Sequence, residues 1–150
     1  DKGPTGGVGK ILKEYDAFSV GEMPFVTDEK EVLRAVQFDR SEINMIFNFE
    51  HVDIDHGKYD KFEPGSWKLT DLKDFFERWQ TFMYANDGWN ALYWENHDQP
   101  RSIDRYTNAS EEYRLVASKM LATALALQAG TPFVYQGQEL GTRNVPKSWD

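Results

Sequence analysis

Two short runs of the sequence end in carboxylates placed where an acid or a charge-stabilising group could work. The first is Ser19-Val20-Gly21-Glu22-Met23-Pro24. Glu22 closes an apolar run, Gly21 allows close backbone approach, and Pro24, which lacks an N–H, stops the run continuing as a strand. A carboxylate at a strand mouth beside Val20, Met23 and Phe25 is expected to be partly shielded from water. Shielding disfavours the charged form, which is what a general acid needs near neutral pH. A Glu that only caps or pairs at a strand end satisfies the same spacing.

The second run is Glu95-Asn96-His97-Asp98-Gln99-Pro100-Arg101, directly after the apolar Ala91-Leu92-Tyr93-Trp94. Four successive polar groups would each need a partner if buried. They are expected instead to line a polar pocket at the carboxyl edge of a sheet, where barrels and open sheets alike bind ligands. A solvated turn before a helix is the other reading. Arg101 can bind substrate or pair with a pocket carboxylate, and the spacing does not choose between them.

These groups need elements to hold them. Phe18–Gly21, Met45–Phe49, Ala91–Trp94 and Phe133–Tyr135 are short apolar runs bounded by polar, Gly or Pro residues, and each reads as a buried strand. Between them lie three helices. Over 70–84, Leu72, Phe75, Phe76, Trp79, Phe82 and Met83 make one apolar stripe, with Thr70 able to cap its start. A second helix spans 110–129, opened by Ser110 and ended by Gly130 and Pro132. A shorter one covers 29–36, where Asp28 and Glu31 resemble a capping box. The order β-α-β-α-β-α-β calls for a parallel sheet with right-handed crossovers. It fits a complete doubly wound domain or about half of a (β/α)₈ barrel, since a whole barrel takes about 250 residues.

Composition narrows the partners. A chain of 150 residues, 40% hydrophobic, has the material for one domain core. Its net charge of −8 argues against nucleic acid or an anionic membrane surface, both of which need a basic face. No run approaches the ~18 apolar residues of a membrane span. With no cysteine, disulfides, thiolate metal sites and a Cys nucleophile are excluded, while the compartment stays open.

Taken together and in this order, Val20-Gly21-Glu22-Met23-Pro24, Met45-Ile46-Phe47-Asn48-Phe49-Glu50-His51, Glu95-Asn96-His97-Asp98-Gln99-Pro100-Arg101 and Tyr135-Gln136-Gly137-Gln138-Glu139-Leu140-Gly141 resemble strands five, six, seven and eight of glycoside hydrolase family 13. Within it the closest look-alikes are the maltases and oligo-1,6-glucosidases, and the resemblance runs from about Tyr15 to Trp149. It implies the C-terminal half of a (β/α)₈ barrel, and retaining hydrolysis of terminal α-linked glucose from short oligosaccharides. Glu22 matches the general acid/base, Asp98 the carboxylate that clamps sugar hydroxyls and stabilises the transition state, and His97 a hydroxyl-binding residue beside it. Phe49 matches an aromatic wall of the sugar pocket, though a core Phe fits that position too. No metal or organic cofactor is implied.

The resemblance also implies what to expect outside this chain. The family's nucleophile is an Asp in a Gly-x-Arg-x-Asp motif on strand four, which nothing here matches. The missing N-terminal half of the barrel, the inserted second domain and the C-terminal β-domain are likewise expected elsewhere, and this chain alone is expected to be inactive. Preference for α-1,4 or α-1,6 linkages rests in the family on the residue after the nucleophile. Sucrose isomerases share much of the pattern but tend to carry an aromatic at the position of Pro24 and an Arg-rich stretch at 52–56, so hydrolysis is favoured over isomerisation.

Two rival readings come from other classes. A non-catalytic barrel-like scaffold, as in amino-acid transporter ectodomains, has typically lost catalytic carboxylates, whereas Glu22 and Asp98 are present. A doubly wound nucleotide-binding domain would show a Gly-rich loop after a strand. Gly6-Gly7-Val8-Gly9-Lys10 does not meet that need: Pro4 and Ile11 stand where a phosphate loop requires Gly and Ser or Thr, and no strand precedes it. His51, Asp53, Asp55 and His56 are read as a solvated loop bordering the sugar pocket, where Asp53 can reach distal sugar units, rather than as a metal cluster. Asn108-Ala109-Ser110 fits a glycosylation sequon, which matters only in a secreted protein.

Overall fold

The computed structural model describes residues 7–39, 42–59, 61, 63, 65–146 and 148; Pro4, Gly6 and Trp149 lie outside them. Contacts divide the chain into two compact units. One contains the residues up to His51 with Lys68–Leu92 and Ala129–Thr131, the other Val52–Trp67, Tyr93–Gln128 and Pro132 onward.

Strands β1 (Val20–Glu22), β2 (Met45–Phe47), β3 (Asn90–Leu92) and β4 (Thr131–Pro132) lie side by side in chain order. The first unit carries β1 to β3 and the first residue of β4. β1 pairs with β2 and β2 with β3 in parallel, which sets Glu22 beside Phe47 and Phe47 beside Ala91. A doubly wound sheet reverses its strand order at a switch point. This one runs in a single direction, as in a barrel wall, so the nucleotide-domain alternative falls.

The strands are shorter than the apolar runs suggest, for local reasons. Ser19 N–H donates to Asn44 Oδ1 at 2.8 Å and Asn44 N–H donates to Ser19 Oγ at 3.3 Å. This reciprocal clamp starts the register at Val20–Met45 and leaves Phe18 outside it, 73% exposed. β4 falls two residues ahead of the expected run, because the chain makes its close approach to β3 at Gly130. A Cβ there would lie 2.7 Å from the Asn90 carbonyl oxygen, and its φ of +153° suits glycine.

Helices α1 (Gly7–Glu14), α2 (Glu29–Val36), α3 (Glu50–Asp53) and α4 (Leu69–Ala85) surround these strands in sequence. Gly7–Lys10, weighed above as a phosphate loop, form the first turns of α1. Asp28 caps α2 through Lys30 N–H, but Glu31 turns to Arg34 at 3.1 Å instead of completing a capping box. Thr70 does not cap α4: Lys68 holds that position without a side-chain bond, and Thr70 falls in the first turn. The expected apolar stripe of α4 does pack. Trp79 and Met83 join Val32, Val36 and Ile46 in one buried cluster, with Phe75 and Phe82 against it. Each such side chain contributes about 1.5–3 kcal/mol by leaving water.

The second unit holds α5 (Ser102–Tyr106), α6 (Arg114–Ala126) and a 3₁₀ turn at Gln138–Leu140. α6 is shorter than expected at its start. Tyr113 and Arg114 both donate to the Ser110 carbonyl, so a tight turn leads in and Tyr113 takes the cap position. Leu121 and Leu125 are buried, and Trp94 Nε1–H donates to the Leu121 carbonyl at 2.9 Å. No described helix is long and apolar enough to cross a membrane.

Candidate active site

Glu22 is the last residue of β1, so it stands on the carboxyl edge of the sheet. Met23 N–H still reaches the Phe47 carbonyl at 3.4 Å before Pro24 ends the pairing. The glycine before Glu22 leaves room for Ile43, whose flexible Cδ1 would lie 2.8 Å from a Cβ at Gly21. The apolar shelter expected around Glu22 is not supplied by its neighbours. Glu22 itself is exposed, Val20 is 37% exposed and Phe25 92%, while Met23 turns toward the core cluster. Phe25 has φ +65°, an unusual conformation for an aromatic residue that costs about 1–2 kcal/mol.

Phe49 does not extend β2. It sits half-buried in the two-residue link to α3, outside the regular alternation that would pair it with Phe47. The link is tightly held. Asn48 Oδ1 accepts from Glu50 N–H at 2.9 Å, and Glu50 in turn accepts from Trp79 Nε1–H at 3.0 Å and from Arg78. His51 is buried and stacks on Phe75 at 5.0 Å, so it is no part of a solvated loop.

His97 and Asp98 are brought together, with His97 Nε2 3.2 Å from Asp98 Oδ2. Both are exposed, 72% and 57%, on a turn shaped by Asn96, whose Oδ1 accepts from Asp98 N–H at 2.9 Å and whose carbonyl accepts from Gln99 N–H at 3.3 Å. An exposed pair of this kind contributes at most ~1 kcal/mol. It leaves both side chains open to a ligand.

Glu95 does not join them in a polar pocket. Its side chain is 1% exposed, and Oε2 accepts from Ser102 N–H and Ser102 Oγ–H, both at 2.6 Å. Oε1 accepts from Arg101 at 2.8 Å, which resolves the open choice for Arg101 in favour of pairing. Arg101 also donates to the Gln136 carbonyl at 2.9 Å and lies over the Tyr135 ring at 4.8 Å.

The loop of 52–56 departs from expectation as well. Asp55 is buried against Arg105, whose Nε–H donates to Oδ2 at 2.8 Å while a second N–H reaches Oδ1. Burial works against the Arg105 charge. The Asp55 hydrogen bond and the fields of Tyr106, Asp55 and Asp53 outweigh it and hold the guanidinium above its ordinary range. His56 Nδ1 stands 3.5 Å from Asp53. Among the described residues no group of three or more His, Asp or Glu could hold a metal ion. The Arg105–Asp55 contact had no local signal, because the two lie 50 positions apart.

In the sequence, Glu22 closes β1 and the His97–Asp98 turn follows β3. The chain matches the family described as Alpha amylase, catalytic domain, over residues 7–150, and belongs to it. It is 50% identical over 144 residues to an alpha-glucosidase of Schizosaccharomyces pombe, covering 95% of this chain and 25% of that protein. With an oligo-1,6-glucosidase of Halalkalibacterium halodurans it shares 47% identity over 135 residues, covering 90% and 24%. Among solved structures, Bacillus licheniformis trehalose-6-phosphate hydrolase aligns with a TM-score of 0.81 at 41% identity, covering 89% of this chain and 24% of that one. The chain thus spans about a quarter of the length of these relatives. The likeness to family 13 α-glucosidases seen in the sequence holds.

Proposed function

We propose that this chain serves retaining hydrolysis of terminal non-reducing α-linked glucose from short oligosaccharides of the maltose or isomaltose type. In this reading β1 to β4 are strands five to eight of the barrel, and residues 1–150 form part of one catalytic domain. Glu22 donates its proton to the glycosidic oxygen as the C1–O bond breaks, and a carboxylate from outside this chain bonds to C1. Water then attacks C1, Glu22 takes the water's proton, and the carboxylate leaves, releasing glucose with retained configuration. Asp98 and His97 grip hydroxyls of the glucose ring more tightly as it flattens, and Phe49 walls the pocket.

The observation that carries this reading is the position of Glu22, open to solvent at the carboxyl edge of a parallel sheet wound in one direction. In such barrels that edge carries the chemistry. The test is to assay the full-length protein on maltose against isomaltose, with Glu22→Gln alongside. Wild-type protein should release glucose from at least one substrate, and the variant should lose on the order of 10³-fold in turnover. A wild type that cleaves neither sugar returns the non-catalytic scaffold reading.

A further inference from the structure

The internal ties of the His97–Asp98 turn are weak: the local bonds of Asn96 and the exposed His97–Asp98 pair, with one long bond of 3.5 Å from Arg105 to Gln99 Oε1, and an exposed loop exchanges such contacts for water at little cost. Its two ends are another matter. Glu95 and Ser102 are 2% and 1% exposed and are joined directly, through both the backbone N–H and the hydroxyl of Ser102. The intervening segment is therefore a closed loop rooted in buried groups. Arg101 completes the closure. It satisfies the other Glu95 oxygen, reaches across to the Gln136 carbonyl, covers the Tyr135 ring, and donates its own backbone N–H to Asn144 Oδ1 at 2.7 Å. The turn beyond Tyr135 is tight enough to need Gly137 at φ +87°, where a Cβ would lie 2.7 Å from Thr142 Oγ1 and 3.6 Å from the Arg101 guanidinium.

We propose that Glu95 and Arg101 are positioning residues, a buried carboxylate–guanidinium brace that sets the His97–Asp98 turn and the Tyr135–Gly137 turn in fixed relation. This rests on the reading of Asp98 as the transition-state clamp. A clamp acts through alignment, and a displacement of about 1 Å can cost 10²-fold in rate without touching the reacting atoms. The guanidinium suits the task because its planar fork meets a carboxylate, a carbonyl and a ring together, whereas an ammonium meets one partner at a time.

The test compares Arg101→Ala, Arg101→Lys and Asp98→Asn in the full-length protein, with Arg34→Ala, at an exposed helix pair, as the control. Arg101→Ala should lower kcat about 10²-fold with KM within threefold, in protein whose circular dichroism is unchanged at the assay temperature. Arg101→Lys, which keeps the Glu95 pair and loses the fork, should recover about half of that loss on a logarithmic scale. Arg34→Ala should leave kcat as in wild type. If Arg101→Ala does not fold, Arg101→Lys decides: a wild-type kcat in that variant overturns the brace. A change confined to KM overturns it too, since that marks direct substrate binding. If Asp98→Asn retains full activity, the clamp reading fails first and the brace with it. If Asp98→Asn is inactive and both Arg101 variants are normal, the brace alone fails.

Discussion

Arg105 and Asp55, 50 positions apart in the chain, close on one another in a two-pronged ion pair whose side chains are 5% and 9% exposed. The same guanidinium donates to the Val52 carbonyl, so one arginine on α5 anchors the start of the 52–56 loop. Breaking such a pair by removing one partner leaves an uncompensated buried charge. Arg105→Leu is expected to cost about 3–5 kcal/mol in chemical denaturation of the full-length protein at neutral pH, and adding Asp55→Leu to recover most of it. A loss below about 1 kcal/mol for the single variant would show that water enters the site freely.

Tyr106 lies beside that pair, its ring 5.5 Å from Trp67 and 5.6 Å from Trp94. Burial pushes its hydroxyl well above the ordinary value of 10.0; Arg105 opposes this, and Asp55 and Asp53 reinforce it. Since the neutral form is favoured in the fold, this stabilisation is whole below pH 10 and is lost as pH rises through the higher folded value. Tyrosinate absorbance of folded wild type and Tyr106→Phe should therefore coincide as pH is raised through 10. One extra tyrosinate in the wild type near pH 10 would contradict the burial.

Glu22→Gln offers a finer test of proton donation than loss of turnover alone. An aryl α-glucoside with a good leaving group needs little protonation, so the variant should retain a far larger share of wild-type glucosylation rate on it than on maltose. Pre-steady-state release of the phenol measures this. Equal losses on both substrates would point away from Glu22 as the acid.

Gly130 combines φ +153° with backbone and side chain at contact distance: the Asn90 carbonyl oxygen and Leu92 Cγ would each lie 2.7 Å from an added Cβ. Gly130→Ala is expected to destabilise the protein by roughly 3 kcal/mol, from left-handed strain and overpacking together. Gly21→Ala, which meets only the flexible tip of Ile43, should cost about 1 kcal/mol. Denaturant midpoints that reverse this order would show that β4 can shift away from β3.

The 150-residue chain, made by itself, should self-associate. β1 ends the sheet on one side with an open edge, α6 presents Val116 and Met120 at 66% and 49% exposure, and Leu127 at its C-cap is 82% exposed. Sedimentation at rising concentration should show dimers and larger species; a clean monomer would contradict this.

Much of the scaffold was legible because it repeats local rules. The α4 stripe could be read from period alone, since burying Trp79 and Met83 needs only that they share a helix face. The fourth strand, expected at 133–135, falls wholly ahead of that run at Thr131–Pro132, while the other three strand positions were readable to within two residues. Their register was not, because it depends on a cross-chain clamp between Ser19 and Asn44. The caps show the same limit: Thr70 and Ser110 have the right chemistry, but the helices begin at Leu69 and after Tyr113, where the backbone meets its own carbonyls.

In the site, residue type and order by themselves marked Glu22, His97 and Asp98 and placed the chain in its family, because the segments that carry them are contiguous. Tertiary structure decided which carboxylates are buried with partners and which stay exposed. Glu95, Asp98 and Asp55 are the same chemistry on paper. Folding gives Glu95 three donors and Asp55 a guanidinium from 50 residues away, while Asp98 stays exposed beside an exposed histidine. A buried charge persists only with partners brought to it by the fold, and those partners are distant in sequence or set by backbone geometry.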